Sequence, residues 1–267
     1  MRIVVAIYES AFANHILGRL LAARPGEVAA VLRADSVFPG ESLAASVWRL
    51  LRQGGLSFAL LKTLETWILR LRGVGLPLDR LCRESDVPLI PVDDINTPSN
   101  QAHLAAVAPD LLVSLHFNHR IRRACLEIPR LGALNVHGAL LPRNRGLFPY
   151  FWALARGEGE HGSTLHWMDD DFDTGDVILQ AQVPISDQDT VFSLQWRTAE
   201  RGADLLLEAL PQIEAGLSKR EAQMDEMATH VSWPRLRDIL RLYASGRRYG
   251  FWRALTPGAP DDRGRQG

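Results

Sequence analysis

The sequence has little cysteine and no excess of charge of either sign. Cys82 and Cys125 are the only cysteines among 267 residues, and they lie too far apart to match a metal-binding spacing. We therefore expect two buried thiols in a reducing compartment. The formal net charge is −1 and the pI is about 6.7, so the overall charge does not favour a nucleic acid as a partner.

The chain also lacks the segments that bring proteins into or across membranes. Its start is too short and too quickly polar for a secretory signal. No apolar run approaches the roughly 20 residues that a membrane-spanning helix needs. These absences predict a cytoplasmic protein without a membrane span. A hydrophobic fraction of 46% and a charged fraction of 23% are ordinary for a globular chain with a core.

Short apolar runs alternate with amphipathic segments at the start of the chain. Residues 2–7 and 28–32 are typical of strands buried on both faces, because they are apolar and rich in β-branched side chains. Residues 11–23 between them have helical spacing, with Ser10 as the expected N-cap. This order predicts an α/β fold: a mostly parallel, Rossmann-like sheet with helices on both faces.

Later segments predict the remaining elements of this sheet. Further strands are expected at residues 87–92, 111–115 and 134–137. Residues 162–168 and 177–183 alternate between apolar and polar side chains, which predicts an antiparallel pair joined by the acidic loop 169–176. Helices are expected at residues 100–107, capped by Ser99, and 190–216, capped by Thr190.

Residues 41–83 form a different kind of segment, which we expect to be a helical insertion. Two amphipathic stripes are separated by Gly54 and Gly55, and basic side chains lie among the apolar ones. The stripes favour helices packed on the sheet or on a second subunit. A lid over an apolar substrate or attachment to a membrane surface stays open. Trp48 and Trp67 on the stripes indicate a homodimer surface.

The order of these segments also predicts the domain organisation. A catalytic domain is expected over residues 1–216 and a short C-terminal extension over 217–256. Residues 257–267 are rich in glycine, proline, aspartate and arginine, so we expect a disordered tail there.

Polar side chains are concentrated at the end of one predicted strand. Asn135 and His137 lie two residues apart and therefore face the same side of that strand. Sites in open α/β sheets form at the carboxyl ends of strands. Arg143 and Arg145 follow in a loop, and arginine suits the capture of carboxylate or phosphate. The alternative is a polar turn followed by a solvated loop.

Five carboxylates lie between residues 169 and 176 of the acidic loop. Their spacing does not match a calcium-binding loop, and the flanking segments are predicted strands rather than helices, so we expect no metal. A carboxylate near a histidine can instead orient the imidazole and tune its protonation.

These segments together resemble a known enzyme family. Asn135-x-His137, then Leu-Leu-Pro-x-x-Arg145-Gly146, then Asp173-x-Gly-Asp176 resembles the formyltransferases that use N10-formyltetrahydrofolate. The resemblance implies a Rossmann-like fold, formyl-folate as donor and catalytic roles for Asn135, His137 and Asp173. In such a site Asn135 would donate an amide N–H to the oxyanion, and Asp173 would hold His137.

The resemblance also implies a pterin pocket between two loops. One side of the pocket is expected from His119, Arg120 and Ile121, and the other side from the acidic loop, mainly through backbone groups. The residues expected there in the acidic loop are Asp169, Asp170 and Asp171. Residues 116–119 depart from the sequence usual in the family at this place.

The acceptor is expected to be the primary amine of a small molecule. The run Asn144-Arg145-Gly146-x-x-Pro149-x-x-Trp152 resembles the sugar N-formyltransferases, which favours a nucleotide-linked amino sugar, with an amino-acid-type amine as second choice. Transfer RNA is disfavoured because only about 50 residues follow the last long helix. Two other functions stay open: a hydrolase that releases formate from formyl-folate, and a non-catalytic folate-binding protein.

Overall fold

A computed structural model of the protein describes residues 1–71 and 73–250, without the side chains of Leu43 and Arg70. The tail that the sequence predicts over 257–267 lies outside the described residues. Among the helices of the described part, none is long and apolar enough to cross a bilayer.

A seven-stranded sheet forms the centre of the molecule. Its strands are β1 (Ile3–Ile7), β2 (Val28–Ala34), β3 (Leu89–Val92), β4 (Leu111–Leu115), β5 (Gly132–His137), β7 (Glu160–Trp167) and β8 (Val177–Pro184). Their order in the sheet is β3-β2-β1-β4-β5-β7-β8. Strands β1 to β5 pair in parallel, whereas β7 pairs antiparallel with both β5 and β8. The predicted α/β class is confirmed, and so is the antiparallel pair around the acidic loop.

Eight helices complete the described fold. They are α1 (Ala11–Ala23), α2 (Leu43–Leu71), α3 (Leu78–Glu84), α4 (Pro98–Val107), α5 (Arg123–Leu126), α6 (Pro149–Arg156), α7 (Val191–Glu214) and α8 (Leu236–Ala244). Ser10 and Thr190 cap α1 and α7 as predicted. The cap of α4 is Thr97 rather than Ser99, because Pro98 occupies the first helical position and the Thr97 hydroxyl accepts from the Asn100 N–H.

The core has two parts, one on each face of the sheet. Side chains alternate along β1, so Val5 packs with the part that contains α1 and α7, and Val4 packs with the part that contains α4 and α5. Both cysteines are buried and free, as the sequence predicts. Cys125 belongs to the second part of the core, with Leu104.

Helix α2 differs from the other helices. It consists of two helical pieces joined at Gly55, whose φ of 78° is non-helical and is readily adopted by glycine. The second piece buries Phe58 and Ile68, but several leucines and Trp67 on its other side are exposed. The second predicted stripe is therefore divided between two faces of the helix.

The C-terminal extension returns to the edge where β5 ends. Its strand β9 (His230–Val231) pairs in parallel with β6 (Arg145–Gly146) in a separate two-stranded sheet. Helix α8 packs against α6 and α2. The carbonyl groups of Arg248 and Tyr249 accept from the first turn of α7.

Candidate active site

Asn135, His137 and Asp173 meet at the carboxyl end of β5. Asn135 Nδ2 lies 3.3 Å from Asp173 Oδ1, and His137 Nδ1 lies 3.3 Å from the same oxygen. The side chains of His137 and Asp173 are largely buried. Two distant stretches of the chain thus supply an amide, an imidazole and a carboxylate to one cluster. Their assignment as the catalytic residues remains a prediction at this point.

Backbone geometry and neighbouring charges hold Asp173 in its ionised form. Its φ of 59° is uncommon for a non-glycine residue, and such residues occur at functional sites. The Gly146 N–H donates to Oδ2 at 2.8 Å. Burial alone would raise the pKa of Asp173, but the charge of His137, the contact with His166 and the Gly146 N–H outweigh it. The pKa therefore lies well below its ordinary value.

Both ring nitrogens of His137 face acceptors. Nδ1 faces the Asp173 carboxylate, and Nε2 lies 3.0 Å from the carbonyl oxygen of Asn144. The two acceptors hold the orientation of the imidazole ring from opposite sides.

His166 is a fourth member of the cluster, which the sequence argument missed. Its Nδ1 lies 2.8 Å from the Trp167 carbonyl oxygen, and its Nε2 lies 3.6 Å from Asp173 Oδ1. Nε2 lies 3.2 Å from Asn135 Nδ2. Position 166 pairs with Asn135 across β5 and β7, and this pairing is the signal that could have found it.

Two glycines permit the close approaches that place Asp173. A Cβ on Gly146 would lie 2.3 Å from the Val231 carbonyl oxygen, and its φ is 105°. A Cβ on Gly175 would lie 2.0 Å from the Trp167 carbonyl oxygen. Glycine is therefore required on both sides of the carboxylate.

The C-terminal extension fastens the acidic loop. Gln223 Nε2 donates to the carbonyl oxygens of Asp173 at 3.0 Å and Gly175 at 2.7 Å. Gln223 Oε1 and Asp225 Oδ1 accept from Arg145, which is 4% exposed. Arg145 is thus engaged inside the protein, contrary to the predicted substrate contact, because its guanidinium anchors the extension. Arg143, the other predicted substrate ligand, is exposed.

A narrow cavity opens beside Asn135 and His166. Five of the six residues predicted to bind the cofactor line it. They are His119, Arg120, Ile121, Asp169 and Asp171. The sixth, Asp170, accepts instead from the Arg123 N–H at the start of α5, at 2.9 Å. These six assignments remain predictions.

The residues around this cavity fit a pterin in their chemistry. Phe117 and Met168 provide apolar walls, and the Asp169 and Asp171 carboxylates provide acceptors for N–H groups. His119 Nδ1 is buried and has no hydrogen-bond partner among the described residues. The cavity measures about 40 Å³. Two of its lining residues form an exposed ion pair, with Arg120 Nη2 3.0 Å from Asp171 Oδ1.

Helix α2 brings Lys62 near His116. Burial, followed by the charges of Lys62 and His137, lowers the pKa of His116 to about 4, so His116 is neutral near pH 7. Lys62 Nζ pairs with the buried Glu65 carboxylate.

An aromatic cluster joins α2 to the segments around β6 and β9. Lys62 Nζ lies 5.6 Å from the Phe148 ring centre. The ring centres of Phe58, Phe148 and Trp233 are 4.9 to 6.0 Å apart. Phe58 is fully buried, whereas Phe148 and Trp233 are half-buried.

No metal-binding cluster of three or more suitable side chains is found in the described part of the chain. The carboxylates of the acidic loop have other partners: Asp169 accepts from the Thr174 hydroxyl, and Asp171 pairs with Arg120.

Comparisons with known proteins give one family throughout. Residues 91–210 match the family model described as formyl transferase. The chain is 38% identical over 155 residues to a methionyl-tRNA formyltransferase of Pseudomonas fluorescens, and the aligned segment covers 58% of this chain and 49% of that protein. A methionyl-tRNA formyltransferase of Geobacter sulfurreducens is 35% identical over 155 residues, with the same coverage of both chains. The chain spans about half the length of these curated relatives.

Solved structures show the same fold at lower identity. An N-formyltransferase from Helicobacter canadensis, in complex with folinic acid and dTDP-3-aminofucose, has a TM-score of 0.59 at 19% identity, covering 90% of this chain and 72% of that one. A glycinamide ribonucleotide transformylase from Symbiobacterium toebii has a TM-score of 0.58 at 23% identity, covering 84% and 93%.

Proposed function

We propose that this protein, whose residues 91–210 match the family model described as formyl transferase, transfers a formyl group from N10-formyltetrahydrofolate to a primary amine. The observation that carries the proposal is the meeting of Asn135, His137 and Asp173 beside a cavity whose walls suit a pterin. Bound formyl-folate would supply the formyl carbon, with its ring system held by the cavity residues.

The cluster can stabilise the charge that develops in such a transfer. Attack by an amine places negative charge on the formyl oxygen, and donors that already point at that oxygen lower the barrier. His137 would add to this stabilisation in its protonated form. The two Asn135 amide contacts, at 3.2 and 3.3 Å, are at the long end of hydrogen bonding, so one N–H can turn towards the formyl oxygen.

Asp173 and His166 complete the proposed mechanism. Asp173 holds the His137 ring and can relay the proton lost by the amine, through a water molecule, to N10 of the folate as the bond between N10 and the formyl carbon breaks. His166 helps to keep the Asn135 amide in place, because its Nε2 lies 3.2 Å from Nδ2. Asn144 fixes the far side of the His137 ring through its carbonyl group.

For the acceptor, we propose a nucleotide-linked amino sugar, with an amino-acid-type amine as the second candidate. The half-buried rings of Phe148 and Trp233 support this choice, because aromatic rings suit a nucleotide base. The N-formyltransferase from Helicobacter canadensis, in complex with dTDP-3-aminofucose, shares the fold. Methionyl-tRNA stays an alternative, since the curated relatives act on it by name.

A screen of acceptors tests the function. The purified protein is incubated with formyl-folate and a panel of nucleotide-linked amino sugars, amino acids and methionyl-tRNA, and mass spectrometry follows the gain of one formyl group. We expect a gain on an amino sugar. Formate release without any amine would indicate the hydrolase, and folate binding without turnover would indicate a binding protein.

The variant Asn135→Ala separates these functions further. In a transferase it should lower the rate about 100-fold or more, the usual effect of removing an oxyanion donor. Leu217→Ala, at an exposed leucine, is the matched control and should retain the full rate. An unchanged rate in Asn135→Ala would contradict the mechanism.

A further inference from the structure

The outer face of the second piece of α2 is apolar along four turns. Its large side chains recur at helical spacing and are 40% to 65% exposed, and among the described residues nothing covers them. They are Leu56, Leu60, Leu64, Trp67 and Leu71. Isolated exposed leucines are common, but a continuous stripe of this length marks an interaction site.

The threonine hydroxyl groups of α2 form hydrogen bonds within the helix itself. The Thr63 hydroxyl donates to the Ala59 carbonyl oxygen at 2.8 Å, and the Thr66 hydroxyl donates to that of Lys62 at 2.9 Å. Both threonines therefore need no water or partner for their hydroxyl groups. The only acidic residue in the sequence of α2 is Glu65, which is buried and paired with Lys62. The exposed face carries no negative charge.

The first piece of α2 adds positive charge and a second exposed tryptophan. Trp48 is 69% exposed and lines a surface groove of about 570 Å³ together with Arg49, Arg52 and Arg235. Arg49 is neutralised by Glu41, which lies 2.7 Å away. Arg52 and Arg235 form no ion pair within the described residues, so the groove carries an excess of two positive charges.

We propose that α2, with the groove beside α8, docks on the surface of an anionic lipid bilayer. The apolar stripe would enter the interface between head groups and acyl chains, where tryptophan is favoured, and Arg52 and Arg235 would contact lipid phosphates. Charge argues against a second copy of the chain as occupant, because two copies would bring cations together with no exposed acid on α2. The inference goes beyond formyl transfer, and its test does not depend on that activity.

Vesicle sedimentation tests the proposal with the full chain. Vesicles of phosphatidylcholine that contain phosphatidylglycerol should carry the protein into the pellet, and vesicles of phosphatidylcholine alone should carry much less. Rising salt should release the protein, because the charges of the groove become screened. Equal binding to both vesicles, or none to either, would overturn the proposal.

Two variants probe the two parts of the surface. The double variant Leu60→Asp, Trp67→Asp should abolish sedimentation, and Arg52→Glu should weaken it about tenfold or more. Leu217→Asp and Arg201→Glu, at exposed positions outside this surface, are the matched controls and should bind as the unaltered protein does. Circular dichroism checks that each variant is folded.

The mass of the protein in solution shows whether the apolar stripe binds a bilayer or a second copy of the chain. A monomer in light scattering agrees with a lipid-binding surface. A dimer that the double variant converts to monomer would assign the stripe to a second copy and refute the bilayer. Reduced sedimentation in the matched controls would likewise refute it, since binding would then not be specific to this face.

Discussion

The cluster at the end of β5 buries polar groups, whereas the outer face of α2 exposes apolar groups. Both regions therefore depart from the usual burial pattern of a globular protein, in opposite directions. In the cluster, Asp173 and His137 are polar groups removed from water, and each has defined partners. On α2, Leu60 and Trp67 are apolar groups left in contact with water, without cover among the described residues. Burial with matched partners is what chemistry on a carbonyl requires, whereas uncovered apolar surface is what docking requires.

Removing the charge of Asp173 should give the largest effect. Asp173→Asn keeps the shape but removes the carboxylate charge that His137 Nδ1 faces, so kcat/KM for the proposed transfer should fall about 1000-fold. Initial rates at several amine concentrations measure this. Asp187→Asn, at an exposed aspartate, is the control. A loss of less than tenfold in Asp173→Asn would contradict the proposed difference between the cluster and the α2 face, because the buried charge would then have no chemical role.

The glycine beside Asp173 tests how tightly the cluster is built. Gly146→Ala places a Cβ 2.3 Å from the Val231 carbonyl oxygen, so the free energy of unfolding should fall by about 3 kcal/mol or more. Gly157→Ala lies at a positive φ of 67°, against 105° at Gly146, with no atom within 4 Å, and should cost only about 1 kcal/mol. Urea denaturation compares the two. Equal losses would attribute the effect to backbone strain alone.

The two faces of α2 should differ in the same measurement. Phe58 is fully buried, so Phe58→Ala should lower the free energy of unfolding by about 3 to 5 kcal/mol. Leu60→Ala, two residues along on the exposed face, should change it by about 0.5 kcal/mol or less. A large loss in Leu60→Ala would mean that the face is already covered in solution, and the comparison with the cluster would fail.

Acidification should weaken the buried region through His161. Burial, followed by the charges of His137 and Arg197, lowers the pKa of His161 to about 3, although Asp189 opposes this. The folded state therefore binds fewer protons than the unfolded state, whose histidine titrates near 6.5. This stability is present above pH 6.5 and is lost as the pH falls towards 3, by about 2 kcal/mol at pH 5. Urea titrations of His161→Leu should show a correspondingly smaller loss between pH 7 and pH 5.

Local patterns predicted most of the fold. The β-branched runs at β1 and β4, the Ser10 and Thr190 caps and the antiparallel pair around the acidic loop depend on neighbours in sequence, so the sequence suffices. The cap of α4 was misplaced by two residues, because threonine and serine before and after Pro98 are equivalent candidates until the hydrogen bond is seen.

The candidate site was predictable in part. Asn135 and His137 share one strand, so their common face follows from the period of two. Asp173 required the family resemblance, since 36 residues separate it from His137 in the chain. The engagement of Arg145 with Gln223 and Asp225 was not predictable, because the loop and the C-terminal extension meet only in the folded protein.

The sequence by itself determined the α/β class, the approximate positions of the strands and the residue types available for formyl chemistry, because these depend on short-range spacing and on side-chain chemistry. Only the tertiary structure decided that His166 joins the cluster, that Arg145 is an anchor and that α2 turns one apolar face inward and another outward. Each of these outcomes depends on contacts between segments tens of residues apart, and amphipathic spacing alone does not specify which of two apolar faces meets the core.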